Sequence, residues 1–279
     1  MDIFVCHQTD IMGPKLLKPI LRKINRSYIN QFDFCWIPDT NQKINLSGDL
    51  SSFTNNRCFK IGPLSRFSKH KRKAIPNKYK FTAVLSGPEP QRSILESKIV
   101  NLFRQLPSEC AIIQGKPLSK NHKEHNIDFF AHLNTDKFLD TINNSEIILC
   151  RSGYSNVMDF SALGKKVIFI PTPGQTEQEY LANYHSEVSK VTSIRQSDIS
   201  LEKINSSKII DMSLFTPAKD FFLAAFLRVQ KKPYVIITES ASSANDLYER
   251  LIYYLSDDYK ILIFPESDDI YYENFSKNH

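Results

Sequence analysis

The chain reads as an α/β protein built on a parallel sheet, and three observations predict it. Short apolar runs at 81–85, 111–114, 127–131, 147–150 and 167–170 are separated by stretches of helical periodicity. The runs are apolar throughout rather than alternating, as in strands covered on both faces. The connections are long enough for βαβ crossovers, which make neighbouring strands parallel.

Taken in order, 2–7 reads as a buried strand. Residues 14–31 carry Leu16, Leu17, Ile20, Leu21, Ile24 and Ile29 at helical spacing, an amphipathic helix. A strand at 34–37 closes on Pro38-Asp39, 41–57 is a polar loop, and Ile61-Gly62-Pro63 leads into a basic segment. The 81–85 strand ends in Ser86-Gly87-Pro88, with helices expected at 90–105 and 136–143 and after Gly153 and Gln175. Beyond 206 a second α/β fragment is expected: helix 221–229, strand 234–238, helix 243–255 and strand 261–264.

The 279 residues are 41% hydrophobic and 24% charged, an ordinary globular balance, with a net charge of +6. The excess is local. Arg66, Lys69, Lys71, Arg72, Lys73, Lys78 and Lys80 fit either a solvated linker or a patch for anionic lipid or diphosphate over 66–80. Aromatic interleaving for base stacking is sparse there, so nucleic acid is not expected on it. The five cysteines lack CxxC spacing, which argues against a disulfide framework and a zinc site and fits a reducing cytoplasm. No apolar run reaches the ~18 residues of a membrane span, and MDIFVCHQTD lacks a signal-peptide layout. The expectation is a cytoplasmic protein, with any membrane contact peripheral at the inner face. No Gly-x-Ser-x-Gly elbow and no GxxxxGK[ST] loop occurs, which disfavours serine hydrolases and P-loop enzymes. No Asp-x-Asp pair lies in 66–205, so no metal is expected on a diphosphate.

Three strand–loop–helix junctions carry the chemistry. In Arg151-Ser152-Gly153-Tyr154-Ser155-Asn156 a tight turn would aim helix N–H groups at an anion. Asp159, just inside that helix, suits sugar hydroxyls; Asn156-x-x-Asp159 also fits a capping box. Gln175 and Gln178 offer donors and acceptors to a sugar, while Thr176-x-x-Glu179 reads as a capping box. Ser86 and Gly87 could hold phosphate, with Arg92 nearby. His7, at a strand end beside Gln8 and Asp10, is a candidate general base or a hydrogen-bonded structural histidine.

The run RSGYSNVMDFSALGKKVIFIPTPGQTEQEYLA resembles the C-terminal domain of glycosyltransferase family 28, in the lipid-intermediate N-acetylglucosaminyltransferase-like branch. Arg151, Gly153, Asp159, Ala162, Gly164, Pro171, Gln175 and Gln178 carry the likeness, with CWIPD, LSGDL and IGPLSRF upstream, over about residues 3–200. The resemblance implies a GT-B architecture, a metal-independent inverting hexosyltransferase, and a UDP-sugar as donor substrate with no separate cofactor. The acceptor it implies is lipid-linked or a glycan. It implies that Asp159 binds ribose in place of the usual glutamate. Backbone at Leu133 would read uracil, and Arg66, Ser86, Gly87, Arg151, Ser152, Gly153, Tyr154 and Ser155 would surround the diphosphate. Gln175 and Gln178 would grip the transferred sugar.

Domains are expected at 1–65 (the remnant of an acceptor domain), 66–205 (the donor-binding domain) and 206–279 (a short α/β extension). Relative to that family the chain begins late in the acceptor domain, so a truncated enzyme or a catalytically inactive nucleotide-sugar-binding fragment is expected. A UDP-sugar epimerase on the same fold is a further reading. The tail, with its FPE-x-x-x-x-x-YE run, resembles the opening module of transcription-repair coupling factor, which would make the chain a fusion. Nucleic acid is expected only through that tail.

Overall fold

A computed structural model describes residues 1–12, 17–41, 44–68 and 77–206, together with 227, 236, 244–245, 247–248, 251–252, 255 and 259–263. The chain divides into two compact units, Met1–Pro217 and Ala218–His279.

The first unit holds two sheets. In the smaller, β1 (Ile3–Val5), β2 (Phe34–Ile37) and β3 (Cys58–Lys60) pair in parallel in that order. The larger sheet contains β4 (Tyr79–Val84), β5 (Cys110–Ile113), β6 (His122–Glu124), β7 (Ile127–Phe130), β8 (Ser145–Cys150), β9 (Lys166–Phe169) and β10 (Thr192–Ser193). Its order is β10-β9-β8-β4-β5-β7-β6, parallel except for the β6 edge. This is the α/β class with a parallel sheet that the sequence predicts.

The apolar strands supply both faces of this sheet, as their composition predicts. In β8, Ile148 and Cys150 face a core built with α3 (Thr135–Asn143), α4 (Tyr154–Leu163) and α5 (Thr176–Val188). Ile147 and Leu149 face the opposite core, built with α2 (Gln91–Phe103) and α6 (Leu201–Ser206). Burial of these side chains, worth roughly 1.5–3 kcal/mol for each large one, holds the layers together.

Several expectations need correction. β3 and β6 were not expected: the first is three residues long, and the second is His-Lys-Glu, with no apolar signal. The helix expected over 14–31 forms as α1 (Lys18–Ile29), but its apolar stripe points outward. Leu17, Ile20, Ile24 and Tyr28 are 51–61% exposed. Only Ile29 of the predicted stripe is fully buried, and Arg22 and Asn25 share the inward side because the 8–10 loop needs donors. Arg22 pairs with the buried Asp10, and the Asn25 amide donates to the Thr9 carbonyl at 2.9 Å.

The expected polar loop is anchored. Buried Asp39 accepts from the Leu46 and Ser47 amides at 2.8 and 2.9 Å. Tyr180, Tyr184 and His185 of α5 hold the 45–49 segment, with His185 Nε2 2.8 Å from the Leu46 carbonyl. Burial lowers the His185 pKa below its ordinary 6.5.

In the second unit, Leu251 and Leu255 are buried with Leu227, Leu247, Tyr259 and Ile261 against them. Residues 261–263 are not in a strand, contrary to expectation. Of the strand expected at 234–238 only residue 236 is described, and it is not in a strand; most of the helices expected at 221–229 and 243–255, and the FPE run, lie outside the described residues. No helix among the described residues is long and apolar enough to cross a membrane.

Candidate functional site at the sheet switch point

Strand order locates the site. From β4 the chain runs outward through β5 to β7, then returns to place β8 on the other side of β4. Ligands in open parallel sheets bind where the order reverses, outside the carboxyl ends of the strands. The β4–β8 pair ends at Val84↔Cys150, so the Ser86-Gly87 and Arg151-Ser152-Gly153 loops leave side by side.

The α4 N-terminus supplies the first half of the geometry. Gly153 is its N-cap, with no side-chain cap and no acid in the first turn. Its orphan N–H groups therefore keep their positive end available to an anion. A Cβ on Gly153 or Gly87 would meet nothing within 4 Å, so both loops border open space. Gly87 has φ +99°, a conformation that favours glycine.

Behind this loop stands Arg151, 1% exposed. Its guanidinium donates to the Ile170, Pro171 and Gln91 carbonyls and to the Gln196 side chain, while Nε lacks a partner. Burial lowers its pKa to about 10, so it stays charged near neutrality. No carboxylate among the described residues pairs with it. Arg151 therefore offers the site a positive field from behind rather than a contact.

Ser152 and Tyr154 are likewise turned inward: the Ser152 hydroxyl donates to the Gln178 carbonyl at 2.7 Å and the Tyr154 hydroxyl to the Pro38 carbonyl at 2.7 Å. The side chains of Arg151, Ser152 and Tyr154 are thus committed within the protein, and the Arg151 carbonyl accepts from the Asn156 side chain at 2.9 Å. Ser155 is exposed. Arg92 also turns away, donating to the Gln114 and Gly115 carbonyls at 3.1 Å.

Asp159 lies in the second turn of α4, beyond the reach of a capping box, because the helix starts at Tyr154. Its Oδ1 accepts from the Ser65 hydroxyl at 2.8 Å, and Oδ2 from Arg66 Nε at 3.3 Å. Burial raises its pKa, although Ser65 and Arg66 oppose this. The Arg66 guanidinium lies 4.7 Å from the ring centres of Phe67 and Phe138. Leu133 packs against the same core just before Asn134, which caps α3.

The capping box expected at Thr176-x-x-Glu179 does not form. The N-cap is Gln175, which makes no side-chain cap, and Glu179 instead accepts from the Gly174 amide at 2.9 Å. Gln178 accepts from the Thr172 amide at 2.9 Å and donates to Gln175 Oε1 at 2.5 Å, so the two amides form one unit. Within the basic segment, Lys78 and Lys80 pair with Asp128 and Glu146 at 2.8 Å, at the opposite end of β4 from the site. Residues 69–76 lie outside the described residues.

His7 reaches the site from the smaller sheet. Its ring stacks on Tyr154 at 4.3 Å, and Nε2 lies 3.0 Å from Glu177 Oε1. Ser65 and Glu177 were not foreseen as site residues. The only sequence signal for either is adjacency, Ser65 to Arg66 and Glu177 to Gln178.

Residues 88–218 match the family described as the glycosyltransferase family 28 C-terminal domain. The resemblance to family 28 read from the sequence is supported over these residues. A curated relative from Pasteurella multocida (strain Pm70) is 28% identical over 131 residues, covering 43% of this chain and 36% of that protein. It is named UDP-N-acetylglucosamine--N-acetylmuramyl-(pentapeptide) pyrophosphoryl-undecaprenol N-acetylglucosamine transferase. The solved glycosyltransferase of kitacinnamycin matches with a TM-score of 0.50 at 13% identity, over 83% of this chain and 54% of that one. The chain thus spans about half or less of the length of these proteins. The likeness of the tail to transcription-repair coupling factor gains no support from these matches.

Proposed function

We propose that the chain binds a UDP-sugar at the switch point and transfers its hexosamine or hexose to a lipid-linked or glycan acceptor, as an inverting, metal-independent transferase. Residues 66–205 act as the donor-binding domain, and 1–65 supply part of the acceptor side. The observation that carries this reading is the uncapped, acid-free α4 N-terminus beside the open Gly87 loop, with the buried Arg151, which pairs with no described carboxylate, behind it.

Amides after Gly153 and those of Ser86 and Gly87 hold the diphosphate, joined by Arg66 once the donor arrives. Fixed dipoles and a buried cation stabilise charge on the leaving diphosphate without reorganising, which is electrostatic catalysis. Asp159 takes the ribose hydroxyls. Ser65 and Arg66 donate to this carboxylate, so binding ribose exchanges one set of hydrogen bonds for another. Leu133 backbone reads the base, and the Gln175–Gln178 unit receives the sugar. The P. multocida relative's name supports UDP-N-acetylglucosamine as donor and a polyprenyl-diphosphate-linked acceptor.

The test measures thermal protection by UDP and UDP release from UDP-N-acetylglucosamine with the lipid-linked acceptor. Protection with release supports the whole reading. Protection without release reduces it to donor binding, and absence of both refutes it.

A further inference from the structure

We infer that residues 64–66 form an autoinhibitory strap at the donor site: the Ser65 hydroxyl holds Asp159 in the place a ribose hydroxyl must take, and so limits nucleotide affinity from within the chain. The inference rests on the donor-binding reading above and adds a regulation to it.

The strap is short and anchored at both ends. Ile61, Gly62 and Pro63 are buried on one side and Phe67 on the other, while Leu64 and Arg66 are exposed and Ser65 is half-buried. At the first anchor the Gly62 amide donates to the Asp39 carbonyl at 2.9 Å. At the second, the Phe67 ring stacks on Phe138, with centres 5.7 Å apart, in the core beneath α4. Between the anchors two side chains reach Asp159. Ser65 Oγ donates to Oδ1 and Arg66 Nε to Oδ2, so each carboxylate oxygen has one donor from the strap. The Ser65 oxygen is fixed in turn, because it accepts from the Phe67 amide at 3.1 Å. Its single hydrogen is therefore spent on Asp159.

Exposure and chemistry make this contact a competitor of the ribose. The Asp159 side chain is 17% exposed and that of Arg66 49%, so the strap lies between the carboxylate and solvent. A ribose offers hydroxyls, the same kind of donor as Ser65, and they reach Oδ1 by displacing it. Trading hydroxyl for hydroxyl returns little net free energy. Arg66 differs from Ser65 in this respect. Once released it has the diphosphate to turn to, so its pairing is recovered in the complex, whereas that of Ser65 is broken without return. Removing the Ser65 hydroxyl leaves a largely buried carboxylate one donor short, which is unfavourable in the free chain. A ribose hydroxyl then fills the gap and restores the full value of the bond.

The test measures binding to the full chain by calorimetry. The ligands are UDP and 2′,3′-dideoxyuridine diphosphate, which lacks both ribose hydroxyls. The proteins are wild type, Ser65→Ala, Ser65→Thr, Asp159→Ala, and Ser65→Ala combined with Asp159→Ala. Ser65→Ala is expected to bind UDP about fivefold more tightly than wild type, the scale of one net hydrogen bond. Its affinity for the dideoxy ligand is expected to stay unchanged, which a merely structural role would not produce. Ser65→Thr keeps the hydroxyl and is expected to match wild type. With Asp159→Ala present, Ser65→Ala is expected to add nothing, because the cycle isolates the pair. Weaker or unaltered UDP binding by Ser65→Ala would make Ser65 a brace that orients Asp159, and would overturn the inference. An equal gain for both ligands would overturn it too, since the strap would then act elsewhere than on the ribose. Each of those results spares the donor site, because UDP still binds. A wild-type chain that binds no UDP sinks the proposed function and this inference together.

Discussion

Two helix N-termini flank the switch point, and they are built oppositely. That of α4 has no acid in its first turn and no side-chain cap, and Arg151 lies directly behind it. That of α5 carries Glu177 and Glu179 in its first turn, with Gln175 as N-cap. The same backbone dipole therefore serves two purposes. At α4 it is left for an external anion; at α5 it is already matched by carboxylates, which turn outward to a histidine and to the Gly174 amide. On the proposed function, the difference divides the carboxyl end of the sheet into a diphosphate side and a hydroxyl-reading side.

Making α4 resemble α5 is expected to have the largest effect. Ser155→Glu places a carboxylate where the diphosphate should sit, and charges roughly 4–8 Å apart repel by about 2–4 kcal/mol at an intermediate dielectric. UDP affinity should fall about 30-fold or more by calorimetry. Uridine binding should survive, and the melting temperature should hold or rise slightly, because an acid at a helix N-terminus stabilises the helix by ~0.3–1 kcal/mol. Equal loss of UDP and uridine would contradict the division.

Asp159→Ala tests the wall between the two ends. It should weaken UDP by about 1–3 kcal/mol, the cost of unpairing buried hydrogen bonds. Asp159→Asn sharpens the electrostatics. Burial raises the Asp159 pKa above its ordinary 3.8, so the folded chain holds that proton more tightly than the unfolded chain. This contribution is present below the ordinary value and lost as pH rises through the folded one. The asparagine variant should therefore melt higher than wild type at pH 7, and the gap should close on acidification. A gap that widens in acid would show that the Ser65 and Arg66 contacts outweigh burial.

The smallest effect is expected where α5 holds the 45–49 segment. Gly48 has φ +56°, and an added Cβ would run into the Tyr180 hydroxyl. Gly48→Ala should cost about 1–2 kcal/mol from the left-handed conformation alone. A denaturant melt unchanged from wild type would remove the anchor from the account.

The central βα alternation was legible in the sequence, because strands buried on both faces have a composition of their own. The loops after Leu85 and Cys150 were legible as strand–helix junctions, because each has glycine at a strand end followed by a helix. Strand order was not, since it depends on which edge each crossover joins, and the switch point follows from that order. The inward turn of Arg151 was also hidden. Its acceptors are carbonyls from residues 91, 170 and 171 and the side chain of Gln196, far apart in sequence. The α1 stripe misled because periodicity gives a face but not its direction. Here Arg22 and Asn25 claimed the inward side.

The most direct test of the account is amide chemical-shift mapping during a UDP titration of the wild-type chain. The account predicts that the largest shifts fall on Gly87, Gly153, Tyr154 and Ser155, with smaller ones around Leu133 and Asp159 and little change at the start of α5. Shifts centred on α5, or none at the β4–β8 loops, would contradict it.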